Sequence, residues 1–287
     1  MGKALPLEIL LYTIDLLAGG RDIESLRILS QACKSTLPLC RKHLFSSLRL
    51  CGDSNSVRFS DLLSKNPDIA RYVRSLNYLV LYNLSSCHEV KIFEMLKKCS
   101  SLRSIELCSA KPDCEWNNLT ESIRSSMLSL IQLPTVTSLI IYSIRGFPAT
   151  ALSECGNLID LSLGALNLAS PEVNQVISRG KIPAPVSLYI KKDTYGFAVL
   201  LNSASLHAGG PIVDFSRLQK AEFHMESQDE VNQVIELIRV TTRLEYIKIK
   251  GEWTGVVIYS WKLTEKIFFL NSKSACFVGW AGWKPRD

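Results

Sequence analysis

The chain has 287 residues, of which 47% are hydrophobic, and its formal net charge is +6 at pH 7. This length and composition allow one elongated domain or two compact ones with a buried core, and they argue against a disordered chain. The lysines and arginines are scattered, which argues against nucleic-acid binding, and no apolar run approaches the roughly 20 residues of a membrane helix.

The nine cysteines include no Cys-x-x-Cys pair, so we expect neither a zinc site nor a dense disulfide framework. Pro6, Glu8 and Asp15 interrupt the apolar N-terminal run, which argues against a signal peptide. We therefore expect an intracellular protein, cytoplasmic or nuclear, with reduced cysteines.

The first 48 residues predict three short helices. Pro6 suits the first turn of the first helix, Gly19 and Gly20 end that helix, and Asp22 and Ser35 are suitable N-caps for the next two. The apolar residues at helical spacing are Leu7, Leu10, Leu11, Ile14 and Leu17, then Ile23, Leu26, Leu29 and Cys33, then Leu37, Leu44, Phe45 and Leu48.

Three helices of this length bury too little surface to form a large core of their own. Some of their apolar faces must therefore contact either the rest of the chain or a second protein. The two possibilities are equally open from the residues alone.

Three segments in this region resemble the F-box, in the form common in fungal F-box proteins. They are Leu5-Pro6-Leu7-Glu8-Ile9, Leu29 to Ser35, and Arg41-Lys42-His43-Leu44-Phe45. The resemblance implies docking on a Skp-type adaptor of a cullin-RING ubiquitin ligase. The contact residues that it implies are Leu5, Pro6, Leu7, Ile9, Leu10, Leu29 and Cys33. Thr36 stands where the family often carries tryptophan.

From residue 57 onward, one pattern of apolar residues returns every 22 to 34 residues. It is apolar, two residues, apolar, one residue, apolar, and it predicts a short strand whose alternate side chains point inward. The matches are Leu76, Leu79 and Leu81; Leu102, Ile105 and Leu107; Val136, Leu139 and Ile141; Leu158, Leu161 and Leu163; a weaker Val186, Leu188 and Ile190; Leu218, Ala221 and Phe223; and Leu244, Ile247 and Ile249.

Helical patterns precede most of these strands, at 57–65, 89–99, 119–133, 197–206 and 228–241. Units of this kind bury their apolar faces by stacking, which predicts a curved parallel sheet with helices on its outer side. The pattern resembles the degenerate leucine-rich repeats that often follow an F-box. The alternative is an ordinary α/β domain without repeats.

These patterns divide the chain into a helical module at 1–50, a repeat region at 51–250 and an atypical C-terminal part at 251–287. The last part holds four of the five tryptophans and two possible strands, at 256–259 and 267–270. We interpret it as a cap on the open end of the repeats, and the alternative is a partly unfolded tail.

The residues between the inward apolar positions would line up on the exposed face of such a sheet, where an array of polar and aromatic groups favours protein binding. The candidate substrate-binding residues are Tyr78, Arg103, Glu106, Asp160, Lys220, Glu222, Tyr246 and Lys248.

The chain carries none of the glycine-rich phosphate-binding motifs, the Gly-x-Ser-x-Gly elbow or His-Glu-x-x-His, and its four histidines lie far apart. We therefore expect a non-catalytic protein without metal or cofactor. The resemblance implies a substrate-recognition subunit of a Skp-cullin-F-box ligase that holds an unidentified protein substrate. The alternatives are a repeat scaffold without a ligase, and a hydrolase or transferase whose pocket unites a histidine with a cysteine or carboxylate.

Overall fold

A computed structural model of the protein describes residues 6–81, 87–111, 114–169, 181–191, 197–201, 211–225, 228–251 and 257–262. In these ranges the chain is a mixed α/β protein whose main sheet is mostly parallel, which confirms the predicted class. None of the helices in these ranges is both long and apolar enough to cross a membrane.

The helices occupy both the N-terminal region and the connections between strands. Among the described residues the α-helices are α1 (Leu7–Gly19), α2 (Ile23–Ala32), α3 (Thr36–Leu44), α4 (Asp53–Lys65), α5 (Cys87–Cys99), α6 (Glu121–Ile131) and α7 (Gln228–Val240). Residues 197–201 are also helical, and short 3-10 turns lie at Pro67–Tyr72, Trp116–Asn118, Ala149–Glu154 and Phe215–Arg217.

The strands form two sheets. They are β1 (Ser47–Cys51), β2 (Ser75–Val80), β3 (Ser104–Ser109), β4 (Cys114–Glu115), β5 (Ser138–Tyr142), β6 (Ile144–Pro148), β7 (Asp160–Gly164), β8 (Asn167–Ala169), β9 (Ser187–Lys191), β10 (Lys220–Met225), β11 (Tyr246–Gly251) and β12 (Val257–Lys262). The main sheet has the order β1-β2-β3-β5-β7-β9-β10-β11-β12, which follows the chain.

Every neighbouring pair of the main sheet from β1 to β11 is parallel, and β12 pairs antiparallel with β11. The prediction of a parallel sheet is therefore confirmed up to β11. The segment between β11 and β12 spans only residues 252–256. A parallel crossover needs about a dozen residues or more, so the last strand can only return antiparallel.

The core lies on one face of the main sheet, because alternate strand residues point to opposite sides. Ile105 and Leu107 of β3 are fully buried and belong to one cluster with Phe93 of α5 and Leu130 of α6. The helices therefore cover this face. The opposite face remains partly exposed and carries the polar residues of the strands.

A second, three-stranded parallel sheet of β4, β6 and β8 was not predicted. The chain enters it through sharp corners at Ser143 and Ala165, which have positive φ angles of 56° and 48°. The amide of Ser143 donates to the carbonyl of Gly164 at the end of β7, and the amide of Ala165 donates to that of Lys191 at the end of β9, both at 2.9 Å. These strands have two to five residues, too few for a periodic pattern to stand out in the sequence.

The structure corrects the predicted beginning of the main sheet. Phe45, Leu48 and Leu50 follow the same apolar spacing as the later units, although helical spacing predicts Phe45 and Leu48 on the third helix. That helix ends at Leu44, and Leu48 and Leu50 are buried inward residues of β1. The repeated pattern therefore begins inside the predicted helical module.

Candidate functional site

The first three helices pack around a small core of their own. Ile14, Leu26 and Cys40, one from each helix, are almost fully buried together and form a cluster separate from the main core. The carboxylate of Asp22 accepts a hydrogen bond from the Ser25 amide at 3.0 Å, which confirms Asp22 as the N-cap of α2. Its pKa is lowered by this bond and, more strongly, by the Ser25 hydroxyl.

Large apolar side chains remain exposed around this core, because α1 is apolar on nearly all sides and only one stripe of it is buried. We call this set the helical surface. Its members, between 38% and 63% exposed, are Leu7, Ile9, Leu11, Tyr12, Leu16, Ile23 and Ile28. In the rest of the described chain the exposed large hydrophobic residues are Ile159, Ile235 and Val240. A concentration of apolar side chains of this kind is typical of a protein-binding surface.

The structure separates the seven predicted adaptor contacts into two groups. Pro6, Leu7, Ile9 and Cys33 are exposed, and Leu7 and Ile9 belong to the helical surface. The other described members, Leu10 and Leu29, are half-buried and pack against the three-helix core, so they contribute mainly to folding. Leu5 lies outside the described residues.

Thr36, which stands in place of a frequent tryptophan, is an internal residue with only 2% of its surface exposed. Its hydroxyl donates to the carbonyls of Leu29 at 2.7 Å and Cys33 at 2.8 Å, and so links the start of α3 to the end of α2. A tryptophan side chain would not fit this position without moving the helices apart.

The thiol of Cys33 lies beside the same junction and is exposed. The Ser35 hydroxyl, 3.0 Å from its sulfur, and Thr36 lower the pKa of this thiol to about 7. Since the thiolate is the reactive form, we expect Cys33 to react faster at neutral pH than a thiol with an ordinary pKa. By contrast, burial raises the pKa of the Cys155 thiol to about 12.

The partly exposed face of the main sheet is organised in three rows of side chains that run across the strands. We call them the first, second and third rows, in the direction of the strands. The first row is Ser47, Ser75, Ser104, Ser138, Asp160, Ser187, Lys220 and Tyr246. The second is Arg49, Asn77, Glu106, Ile140, Ser162, Tyr189, Glu222 and Lys248. The third is Cys51, Leu79, Cys108, Tyr142, Gly164, Lys191, His224 and Lys250.

Hydrogen bonds connect neighbouring strands on this face in its N-terminal half. The Asn77 amide of β2 donates to Glu106 of β3 at 2.5 Å, and within β3 the Cys108 thiol donates to the same carboxylate at 3.4 Å. Burial and, less strongly, this carboxylate raise the pKa of Cys108 to about 12. The hydroxyls of Tyr142 and Ser162 are 2.6 Å apart, and the Tyr142 ring occupies space that Gly164 leaves free.

Aromatic and charged groups dominate the C-terminal half. The Tyr189 hydroxyl lies 3.3 Å from Nε2 of His224, with the two rings edge to face. Nζ of Lys248 lies 3.6 Å from Oε2 of Glu222. Burial raises the pKa of Tyr189, and the Glu222 carboxylate adds to this shift. These groups form a polar surface on a rigid sheet.

Six of the eight predicted face residues belong to the first two rows, as expected. They are Glu106, Asp160, Lys220, Glu222, Tyr246 and Lys248. Arg103 is exposed but lies just before β3, where its guanidinium donates to the Thr135 carbonyl at 3.3 Å. It therefore borders the face.

The prediction for Tyr78 is wrong. Its side chain is only 4% exposed and meets the ring of Phe93 edge-on at 5.3 Å, on the core side of the sheet. The template fits the buried residues Val73, Leu76 and Tyr78. Leu76 is therefore inward as predicted, but Leu79 and Leu81 are only half-buried. A slip of three residues exchanges the two faces, because the side-chain period of a strand is two.

The third row was not predicted, although it contains Tyr142, Lys191, His224 and Lys250. The apolar template ends at the last inward residue, and this row begins one residue later. Extending the strand alternation beyond the template would have found it. The sequence therefore contained the information needed to predict the third row.

One small cavity of about 10 Å³ brings a histidine and a carboxylate together, as an enzyme would require. It is lined by Ile190, Phe197, Phe223, His224, Glu230, Gln233 and Val234. This volume is room for about one water molecule, far below the roughly 300 Å³ of typical small-molecule sites, and most of the lining is apolar. Among the described residues, no group of three or more His, Cys, Asp or Glu side chains is placed to hold a metal ion.

No known family model matches the chain, and a comparison with curated proteins finds no significant similarity. The functional interpretation therefore depends on the two surfaces and on the sequence motifs.

Proposed function

We propose that this chain is an F-box protein with degenerate leucine-rich repeats, acting as the substrate-recognition subunit of a Skp-cullin-F-box ubiquitin ligase. In this proposal the helical surface binds a Skp-type adaptor, and through it a cullin-RING ligase, while the open face of the main sheet holds a protein substrate.

The observation that carries the proposal is the concentration of exposed apolar side chains on α1 and α2. Seven of the ten large hydrophobic residues exposed among the described residues lie on these two short helices. Leaving such groups in water is unfavourable by about 25 cal/mol per Å² of apolar surface, so a partner that covers them gains binding energy. The F-box resemblance covers the same helices.

The repeat assignment is supported by the match between chain order and strand order. Each unit adds one strand beside the previous one, and the inward residues of successive strands are in register. This is the arrangement expected of stacked repeats, which present a continuous surface on the side away from their helices.

Such a subunit needs no catalytic residue of its own. When adaptor and substrate are bound at once, a substrate lysine is held near the ubiquitin-charged enzyme, and its effective concentration rises. The chain contributes proximity and orientation, and other subunits supply the chemistry.

The test is capture of a purified Skp-type adaptor by the full chain, compared with two single-residue variants. Ile9 is 50% exposed on α1, and Ile235 is 43% exposed on α7. We expect Ile9→Asp to weaken adaptor binding at least about tenfold, because a carboxylate would be buried in an apolar interface. Ile235→Asp introduces the same charge and should leave binding unchanged.

Two results would overturn the proposal. Equal losses in the two variants would mean that the helical surface is not the contact, and no binding by the unaltered chain would remove the ligase assignment. Circular dichroism would verify that both variants keep their helix content.

A scaffold without ligase association is the second candidate, and the observation that favours it is the buried position of Thr36. The tryptophan common at this point in F-box proteins is absent, and Thr36 is buried and hydrogen-bonded inside the three-helix unit. In this case α1 to α3 only cover the N-terminal end of the sheet. The adaptor would then fail to bind, while partners of the sheet face would still bind.

A further inference from the structure

The charge on the open sheet face is concentrated at one end. Strands β9, β10 and β11 carry four lysines, Lys191, Lys220, Lys248 and Lys250, which we call the lysine patch. The same three strands carry one carboxylate, Glu222. These lysines are on the open face because they occupy the first, second and third rows. The rest of the face carries one strand cation, Arg49 on β1, and two carboxylates, Glu106 and Asp160.

Most of this charge is uncompensated. Glu222 lies 3.6 Å from Lys248, and both are partly exposed. Lys191, Lys220 and Lys250 form no ion pair within the part of the chain that the structure describes. Three cations are therefore available to a ligand.

The third row places two of these lysines on either side of one residue. Lys191 and Lys250 lie on the strands that flank His224, and both are directly opposite it. Neighbouring strands are about 4.8 Å apart, so an anionic side chain over His224 would be near both ammonium groups.

The spacing of the lysines fits an extended polypeptide. Lys248 and Lys250 alternate along β11, about 6.6 Å apart, and the neighbouring strands are about 4.8 Å away. In an extended peptide parallel to the strands, every second side chain repeats at the same distance of about 6.6 Å. Carboxylates at alternate positions would therefore meet successive lysines, and Tyr189 and Tyr246 offer half-buried aromatic surface between them.

We propose that the lysine patch binds an extended, acidic segment of a partner protein, with Asp or Glu at alternate positions. The inference uses the substrate-binding role of the sheet face from the proposed function and adds the chemistry of the substrate.

The dimensions of the patch favour a peptide over nucleic acid. Three strands span about 10 Å between their outer axes, and the neighbouring residues of the second row, Ser162 and Ile140, are uncharged. A nucleic-acid duplex carries a charge every 1.7 Å or so and gains affinity from a long track of cations, which this face lacks.

The experiment measures fluorescence anisotropy of a labelled twelve-residue peptide with glutamate at every second position, added to the full chain. The comparison peptide carries glutamine in place of glutamate. We expect the acidic peptide to bind at least about tenfold more tightly, with an affinity that falls as salt is added.

The variants assign the binding to the patch. Lys191→Gln with Lys250→Gln should weaken binding of the acidic peptide about tenfold, because two charge pairs are lost. Lys65→Gln with Lys98→Gln removes the same charge from exposed positions on α4 and α5, and should leave binding unchanged.

Three results with peptides would overturn the inference: equal affinity for the two peptides, equal losses in the two double variants, and binding of only a phosphoserine peptide. Tighter binding of a single-stranded oligonucleotide of equal charge would reassign the patch to nucleic acid, and would overturn it as well. The peptide-binding measurement contains no adaptor. Failure of the acidic peptide to bind would therefore leave the proposed adaptor contact intact, and failure to capture the adaptor would leave the peptide result valid.

Discussion

At the scale of single residues, Thr36 shows what one buried hydroxyl contributes. Thr36→Val keeps the shape but removes the donor to the Leu29 and Cys33 carbonyls. We expect the free energy of unfolding of the helical region to fall by about 1–2 kcal/mol, measured by urea denaturation. Thr13→Val removes an exposed hydroxyl that donates to Ile9 and should cost less than about 0.5 kcal/mol. Equal effects would contradict the structural role of Thr36.

Cys33 provides a pH-dependent prediction at the same scale. Because its pKa is lowered to about 7, its thiolate fraction increases from pH 6 to 8 and then levels off. We expect alkylation by iodoacetamide, followed by mass spectrometry, to follow this curve, while the buried Cys155 stays unmodified. Ser35→Ala removes the main cause of the shift and should move the curve to higher pH. A rate that still rises through pH 9 in the unaltered chain would refute the assignment.

At the scale of elements, β2 tests the corrected register. Tyr78 is buried against Phe93, and Leu79 is half-buried on the open face. We therefore expect Tyr78→Ala to lower the free energy of unfolding by about 3–5 kcal/mol and Leu79→Ala by only about 1 kcal/mol. Denaturant unfolding of the two variants measures both values. The reverse order would restore the register predicted from the sequence.

Other elements show how much of the fold the sequence could specify. The apolar spacing was sufficient to locate β3, β5, β7, β10 and β11 and the helices that precede several of them. It failed at β2, where Leu79 and Leu81 offer a second register, and only the neighbouring strands and Phe93 select the correct one.

The candidate surfaces were predictable to a similar extent. Most residues of the first two rows followed from strand alternation, whereas the third row lies beyond the apolar template. On α1, helical spacing grouped Leu7 and Leu11 with Ile14, yet Ile14 is buried whereas Leu7 and Leu11 are exposed. That choice is made by the packing of α2 and α3.

At the scale of the whole molecule, the two separate cores predict unequal stability. The cluster of Ile14, Leu26 and Cys40 is much smaller than the continuous core under the main sheet. We expect amide hydrogen exchange to be faster in α1 to α3 than in β3, β5 and β7, and Ile14→Ala to accelerate exchange in α1 to α3 alone. Equal acceleration in the sheet would mean that the two regions unfold as one unit.

The agreement between strand order and chain order has a consequence for biosynthesis. Each strand pairs first with the one made just before it, so a nascent chain can add structure as it leaves the ribosome without waiting for distant segments. Among the described strands of the main sheet, only β12 runs antiparallel to its neighbour, so its pairing with β11 departs from this stepwise pattern.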